Sequence, residues 1–385
     1  MAPQTAIVVT TIFDPAFLPG YLRSIRAVGR ERDTTVYIIA DRKTPASVPQ
    51  AAERARRDGF DVRCPVLDEQ GQFLRAMGAP EGFVPWNTDN RRNVGFLMAL
   101  ADGAEVLISI DDDNFCDPQE DFIGAHQVVG RACDDAVVTS SDGWFNICDL
   151  LEGWPSGEVF PRGFPYYAQR TARALTRGPA DGALRIAMNV GLWLEDPDVD
   201  AVVRLARRPR GVAYRGPNVV LGPDTWTPIN TQNTALTRDA ALCYYYVRMG
   251  YPLRGLRIDR FGDILSGYMT QKVVKHLGWG VRVGTPIVEH RRTPHNLFRD
   301  LYHELAGIAL IEEFLPWLCE VRLSGNDPLT AYECLADQMA DADDRFRGFM
   351  WDDGGREFLR ETVGLMRAWT GLVRQIAGAY EVAPD

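Results

Sequence analysis

The stretch GAEVLISIDDDNF, residues 103–115, carries the reading of the fold. Residues 105–110 read as a buried strand, and that strand runs straight into three carboxylates, Asp111, Asp112 and Asp113. Upstream, Val94, Leu97, Met98 and Ala101 repeat at the i, i+3, i+4, i+7 spacing of an amphipathic helix, with Gly103 placed to cap its carboxyl end. Residues 5–11 and 35–40 are two more short β-branched runs, separated by Leu18, Leu22 and Ile25 at helical spacing, which makes a β-α-β opening. Strands that alternate with helices predict an α/β fold, a mainly parallel sheet with helices on both faces, whose ligands sit at the carboxyl ends of the strands. Asp41 and the acidic triplet both lie at such ends.

Further along, residues 140–235 are dense in Gly, Pro and aromatics and read as substrate loops, with only residues 190–194 strand-like. Leu265, Met269, Val273 and Leu277 line a helical face that ends at Gly278, and residues 281–288 read as another strand. Leu297, Leu301, Leu305 and Ile308, then Leu365, Trp369, Leu372 and Ile376, mark a helical tail that covers the sheet or forms a subunit interface. The expected division is therefore 1–295 for the sheet-based domain and 296–385 for a helical extension.

With 385 residues, 46% of them hydrophobic, the chain has ample material for one large core. Its net charge of −10 is the wrong sign for a protein that binds by neutralising phosphate backbones, so nucleic acid is not an expected partner. The opening MAPQTAIVVTTIF lacks a positive n-region and reads as structure and not as a signal peptide, and no stretch is long and apolar enough for a membrane span. Seven scattered cysteines without CxxC spacing suggest reduced thiols and a cytoplasmic setting.

Successive strand residues point to opposite sides, so Asp111 and Asp113 are expected to share a face while Asp112 turns away. Two convergent carboxylates suit Mg²⁺ or Mn²⁺, which bind oxygen ligands and commonly share them with substrate phosphates. The bland alternative is an acidic surface loop. His290, after the strand at 281–288, is a candidate third ligand or a hydrogen-bonded structural histidine. Arg91, Arg92 and Asn93 open a helix and are candidates to face phosphates or the base, or else are solvated. Asp41 is a candidate for the ribose or base, or a helix cap. The glycines at 278, 280 and 284 do not form a GxGxxG that opens a helix after a strand, which argues against NAD, and flavin is not implied.

Several separated blocks together resemble the plant reversibly glycosylated polypeptides, which are UDP-arabinopyranose mutases. They are LISIDDDNF from Leu107, FPRGFP from Phe160, NVGLWLEDPDVDA from Asn189, the region of Asn233, the long block RFGDILSGYMTQKVVKHLGWGVRVGTPIVEH from Arg260, and HNLFRDLYHELAGI from His295. The resemblance spans most of the chain. It implies a glycosyltransferase A-type fold and a mutase that interconverts pyranose and furanose rings of a nucleotide sugar without flavin or NAD. The family's reactive arginine falls on Arg162, its acidic metal motif on Asp111, Asp112 and Asp113, a later aspartate on Asp263, and a histidine on His290. Asp112 and Asn233 are expected on the nucleotide or sugar. Three departures bear on sugar and base identity: Asn114 replaces a cysteine, Gly262 replaces an acid, and NTQN from Asn230 replaces a CGMN-like segment. A bacterial branch of the family is understood to act on GDP-fucose, which puts GDP-L-fucose first and UDP-L-arabinopyranose second as expected substrates.

Ring contraction needs cleavage of the C1 to phosphate bond, ring opening, closure by O4 and return of the diphosphate. Arg162 is expected either to capture C1 or to stabilise the diphosphate, with a structural salt bridge as the third reading. Asp263 is expected to move a proton at a sugar hydroxyl or to orient it, unless it caps the helix that follows. A glycosyltransferase with a separate acceptor and a self-glycosylated scaffold are the competing functions, and homo-oligomerisation is open.

Overall fold

The computed structural model describes residues 4–153, 158–179 and 184–381. Residues 1–3, part of the segment read above as structure and not a leader, and small parts of the 140–235 loops and the helical tail lie outside the described residues. The chain opens with β1 (Thr5–Thr11), α1 (Leu18–Ala27), β2 (Thr34–Ala40), α2 (Ser47–Arg57), β3 (Asp61–Arg63), α3 (Leu67–Ala76), α4 (Arg92–Ala101) and β4 (Val106–Ile110). The middle supplies β5 (Asn114–Cys116), β6 (Ala136–Ser140), β7 (Leu175–Gly178), β8 (Ile186–Glu195), the short α5 (Ala201–Ala206), β9 (Val219–Leu221) and β10 (Asn233–Thr237). It closes with α6 (Gly262–His276), β11 (Gly280–His290), α7 (Leu297–Glu320), α8 (Pro328–Asp341) and α9 (Asp353–Glu381).

These strands form one eleven-stranded sheet in the order β3-β2-β1-β4-β10-β8-β11-β9-β6-β7, with β5 paired to β11. The first four are parallel throughout. Then β10 inserts antiparallel between β4 and β8, and β8 pairs parallel with β11. The α/β class read from the sequence is the one observed, and the glycines foreseen as helix stops, Gly103 and Gly278, take positive φ just past α4 and α6. The strand expected at 190–194 begins earlier, at Ile186, and β10 begins inside what read as loops. Its sequence, NTALT, is too short and too mixed to announce a strand, and it is stabilised by pairing on both edges.

Register brings the site together. Where β11 pairs with β5, His290 lies opposite Asn114. In the parallel pair β8/β11 the same His290 lies opposite Glu195, so the turn after β8 emerges beside it. The ends of β4, β8 and β11 thus meet. The helical tail is anchored to this body: buried Trp369 of α9 donates its indole N–H to the Leu242 carbonyl at 2.8 Å. No helix among the described residues is long and apolar enough to cross a membrane.

α4 sits hard on the sheet because Gly95 leaves room: a Cβ there would come within 2.4 Å of Val8 and 2.9 Å of Ile39. Gly95→Val is expected to push α4 off β1 and β2 and to lower unfolding stability by about 1–3 kcal/mol, read as a drop in urea midpoint. An unchanged midpoint would mean that this contact is not constrained.

Candidate active site

A cavity of about 370 Å³ opens where the three strand ends meet. Asp111, Asp112 and Asp113 form part of its wall, with Arg92, Arg162, Asp198, Asp263 and His290, and Arg204, Arg260 and Arg292 also line it. A second cavity, of about 240 Å³, adjoins it and shares Thr10, Phe13, Asp89 and Asp112. Asp41 and Arg91 line that one.

β4 stops at Ile110, and the acidic residues form a turn in which Asn114 N–H donates to the Asp111 carbonyl. Asp111 accepts from Arg92 Nη2 at 2.6 Å. Arg92 is itself almost fully buried, and its Nη1 donates to the carbonyls of Ile110 at 2.8 Å and Thr231 at 3.3 Å. This arginine is therefore not solvated; it ties α4, β4 and the 231 turn to one carboxylate. Because these residues form a turn and not a continued strand, the strand alternation expected to turn Asp112 away does not apply: all three carboxylates line the larger cavity, and Asp112 also lines the smaller one.

His290 is buried, with Nε2 at 3.2 Å from Asp113 Oδ2 and Nδ1 at 2.5 Å from the Asp196 carbonyl. A carbonyl can only accept, so Nδ1 carries the proton and Nε2 is the atom turned to the acidic turn. Burial works against the imidazolium, but the Asp113 carboxylate outweighs it and raises the pKa of His290. Among the described residues no three His, Cys, Asp or Glu side chains are already drawn into a metal cage. The donor set instead fits a hard divalent ion that shares its ligands with a substrate: two carboxylates and one imidazole oriented by a backbone carbonyl, on the wall of an open cavity.

Arg162 has all five of its N–H groups engaged. Nε donates to Asp198 Oδ1 at 2.9 Å and Nη2 to Asp198 Oδ2 at 3.0 Å. Nη2 also donates to Asp263 Oδ2 at 2.9 Å, and Nη1 donates to Asp263 Oδ1 at 3.2 Å and to the Arg260 carbonyl. Asn230 braces the arrangement by donating to Asp198 Oδ2 at 2.7 Å. Gly163 permits it, since its φ of +85° disfavours a side chain and a Cβ would meet Ile264 at 2.4 Å. Arg260 holds its carbonyl in place through a left-handed φ of +56°, rare for a non-glycine residue. Burial disfavours the charge on Arg162, yet Asp198 and Asp263 hold its pKa well above the usual value. Burial would likewise raise Asp198, but the guanidinium drives that carboxyl down to about 2.

Asp263 lies in the first turn of α6 and does not cap it: the cap position is Phe261, without a side-chain bond. Asp41 accepts from the backbone N–H groups of Arg42 and Asn87, each at 2.6 Å, so it closes the 87–88 turn over the second cavity and is not the cap of α2. Arg91 is buried, with its guanidinium 3.8 Å over the Trp86 ring. Two further expectations need correction. Asn93 lines neither cavity, because its amide is spent on both backbone groups of Tyr246, at 2.8 and 2.9 Å. Asn233 is fully buried and bonded to His126, Leu192 and Pro286, locking β10 to its neighbours.

Sequence reasoning missed Asp198, Arg204, Arg292, Tyr246 and Asp89. The first had a signal, the alternating acids DPDVD after a strand; Tyr246 and Asp89 had none. Arg204, Arg260 and Arg292 line one side, paired with Asp196, Glu304 and Asp300 respectively, and burial, then the proximity of Arg204 and Arg260, lowers the pKa of Arg292.

Comparison with known proteins gives a match to the family described as "Reversibly glycosylated polypeptide" over residues 34–351. Among relatives, a probable UDP-arabinopyranose mutase 4 of Arabidopsis thaliana is 27% identical over 72% of this chain and 70% of its own. UDP-arabinopyranose mutase 2 of the same plant is 26% identical over the same shares. Among solved structures, glucosyl-3-phosphoglycerate synthase from Mycobacterium tuberculosis with Mn²⁺ and UDP-glucose aligns over 84% of this chain and 81% of its own. Its identity is 13% and its TM-score 0.39, too distant to inform the chemistry here.

Removing Arg162 strands two buried carboxylates. Arg162→Ala is expected to cost about 3–5 kcal/mol of stability, with part of the loss recovered when Asp198→Asn is added, measured by urea unfolding of the double-mutant cycle. Because the folded-state pKa of Asp198 lies below its unfolded value of about 3.9, its contribution is intact above that pH and is lost as pH falls towards 2. Wild type should therefore lose stability more steeply than Asp198→Asn over that window; parallel acid curves would contradict the pairing.

Proposed function

The chain belongs to the reversibly glycosylated polypeptide family, and on that premise we propose that it is a flavin-independent nucleotide-sugar mutase that interconverts pyranose and furanose forms. One observation carries the proposal: two adjoining cavities meet at Asp112, one beside Asp41 and Arg91, the other holding the acidic turn, the Arg162 clamp and the arginine wall. That division suits a nucleoside in the smaller cavity and a sugar diphosphate in the larger. In this reading Asp111, Asp113 and His290 hold Mn²⁺ or Mg²⁺ together with the diphosphate. The bound ion would neutralise the charge on the diphosphate.

The residues divide the work of keeping every fragment in place. Arg204, Arg260 and Arg292 face the departing diphosphate and retain it for return to C1. Arg92 holds Asp111 in position from α4. Arg162, with its five donors in use, keeps Asp198 ionised beside the sugar and holds Asp263 by hydrogen bonds; an active role at C1 or on phosphate requires it to exchange one partner for substrate. Asp263 is the partner with the longer contact, at 3.2 Å.

Departures from the plant pattern lie on this site, which supports a different substrate. Asn114 bonds Asp113 at 3.2 Å, and Thr231 and Gln232 of the NTQN segment line the larger cavity. A Cβ on Gly262 would come within 2.4 Å of the Val247 carbonyl and 2.8 Å of the Tyr246 ring, so an acid there needs a different backbone path. GDP-L-fucose is the first candidate and UDP-L-arabinopyranose the second; the two sugars have opposite configurations at C2, C3 and C4, so a pocket that hydrogen-bonds the hydroxyls of one should discriminate against the other.

Purified protein with Mn²⁺ or Mg²⁺ and each nucleotide sugar in turn is expected to yield furanose anomeric signals by NMR, abolished by EDTA. His290→Ala is expected to raise the metal concentration for half-maximal rate by about tenfold or more. Release of free nucleoside diphosphate without furanose would replace this reading by that of a transferase with a separate acceptor.

A further inference from the structure

Most carboxylates of the larger cavity have a fixed partner. Asp111 is paired with Arg92, Asp113 with His290, and Asp198 and Asp263 with Arg162; Asp112 forms no ion pair among the described residues but sits between the two carboxylates assigned to the metal. Asp89, just before α4, differs. It lines both cavities at their junction, and among the described residues no cationic side chain forms an ion pair with it. Its side-chain contact is the Tyr246 hydroxyl, which donates to Oδ2 at 2.9 Å. That hydroxyl is held firmly, since Asn90 Nδ2 donates to the Tyr246 carbonyl at 2.6 Å and the Asn93 amide grips both its backbone groups.

The geometry points to Asp89 as the proton-transfer residue of the sugar, with Tyr246 as its positioning residue. The inference rests on the mutase reading above. Pyranose and furanose forms differ in which oxygen closes on C1. Going from one to the other breaks the bond between C1 and the pyranose ring oxygen, which must take up a proton, and forms a bond from O4, which must give one up. The Asp89 carboxyl hands its proton to the departing ring oxygen, and the resulting carboxylate takes the proton of O4. The proton count closes on one carboxyl, with no oxidant, reductant or other co-reactant.

The surroundings tune the group for both directions. Burial, then the charge of Asp259, raises Asp89 to about 6, with Asp263 adding to the rise. The Tyr246 hydrogen bond and Arg92 from α4 pull the other way. A carboxyl near neutrality is a competent acid and base in turn. The paired Asp198, held near 2, is a poor acid by comparison.

Asp89→Asn keeps the shape and an acceptor for Tyr246 but cannot carry the proton. Its kcat for furanose formation is expected to fall by about 100-fold or more, while the dissociation constant of the nucleotide sugar, by calorimetry, changes little. The fall of the wild-type kcat as pH rises through about 6, where Asp89 loses the proton it must donate, should vanish from the residual activity. Tyr246→Phe retains the carboxyl and loses the donor that lowers it, so its loss of rate at high pH should move to higher pH; this variant carries the test should Asp89→Asn fail to fold. Full kcat in Asp89→Asn, or weakened binding at unchanged kcat, overturns the role of Asp89 in an active enzyme. Wild type that forms no furanose from either sugar removes the mutase reading and this role with it.

Discussion

Six aspartates line a single cavity, and each must be neutralised, hydrogen-bonded or protonated, because an isolated buried carboxylate is far more costly than a packed apolar side chain. Much of the architecture around the site answers that constraint. Arg92 and Arg162 are themselves buried, so they are held only because the carboxylates compensate them in turn. The network is reciprocal. Removing either sign leaves the other exposed to the same low-dielectric penalty.

Compensation also explains why elements distant in the chain converge. Arg92 sits on α4, which Gly95 lets down onto the sheet, and from there it reaches the end of β4. Asp198 follows β8, and His290 ends β11, the strand that runs parallel to β8. Arg162 comes from a loop that packs on the start of α6 through Gly163. The inserted antiparallel β10 carries the 230–232 segment to the cavity, where Asn230 braces Asp198 and the Thr231 carbonyl accepts from Arg92. Asp89 forms no ion pair among the described residues, and burial with the nearby charge of Asp259 raises its carboxyl towards neutrality. An unpaired member of such a set is a natural seat for proton transfer.

What could be read from residues alone follows a simple rule. Short-range patterns survived: the buried run into Asp111, the helix from Val94 to Ala101, the glycine stops, and the strand before His290 all have local causes in side-chain periodicity and backbone freedom. Family-like blocks singled out Arg162, Asp263 and His290, and all three line the cavity. Asn93 was drawn in because it opens a helix and Asn233 because it lies in a family-like block, but an amide has both donor and acceptor to satisfy, and other buried groups claimed both ends.

Sequence by itself determined the α/β alternation, the acidic turn at a strand end and the chemistry of the donor set, because these depend on spacing within a few residues. Only the tertiary structure decided the partners. Asp198 lies 36 residues from Arg162 and His290 177 residues from Asp113, and Tyr246 reaches Asp89 across 157. Which charge meets which is set by strand register and helix packing over those distances. A pKa follows from the meeting, not from the residue type, so the state of Asp89 and the occupied guanidinium of Arg162 appear only once the sheet has closed.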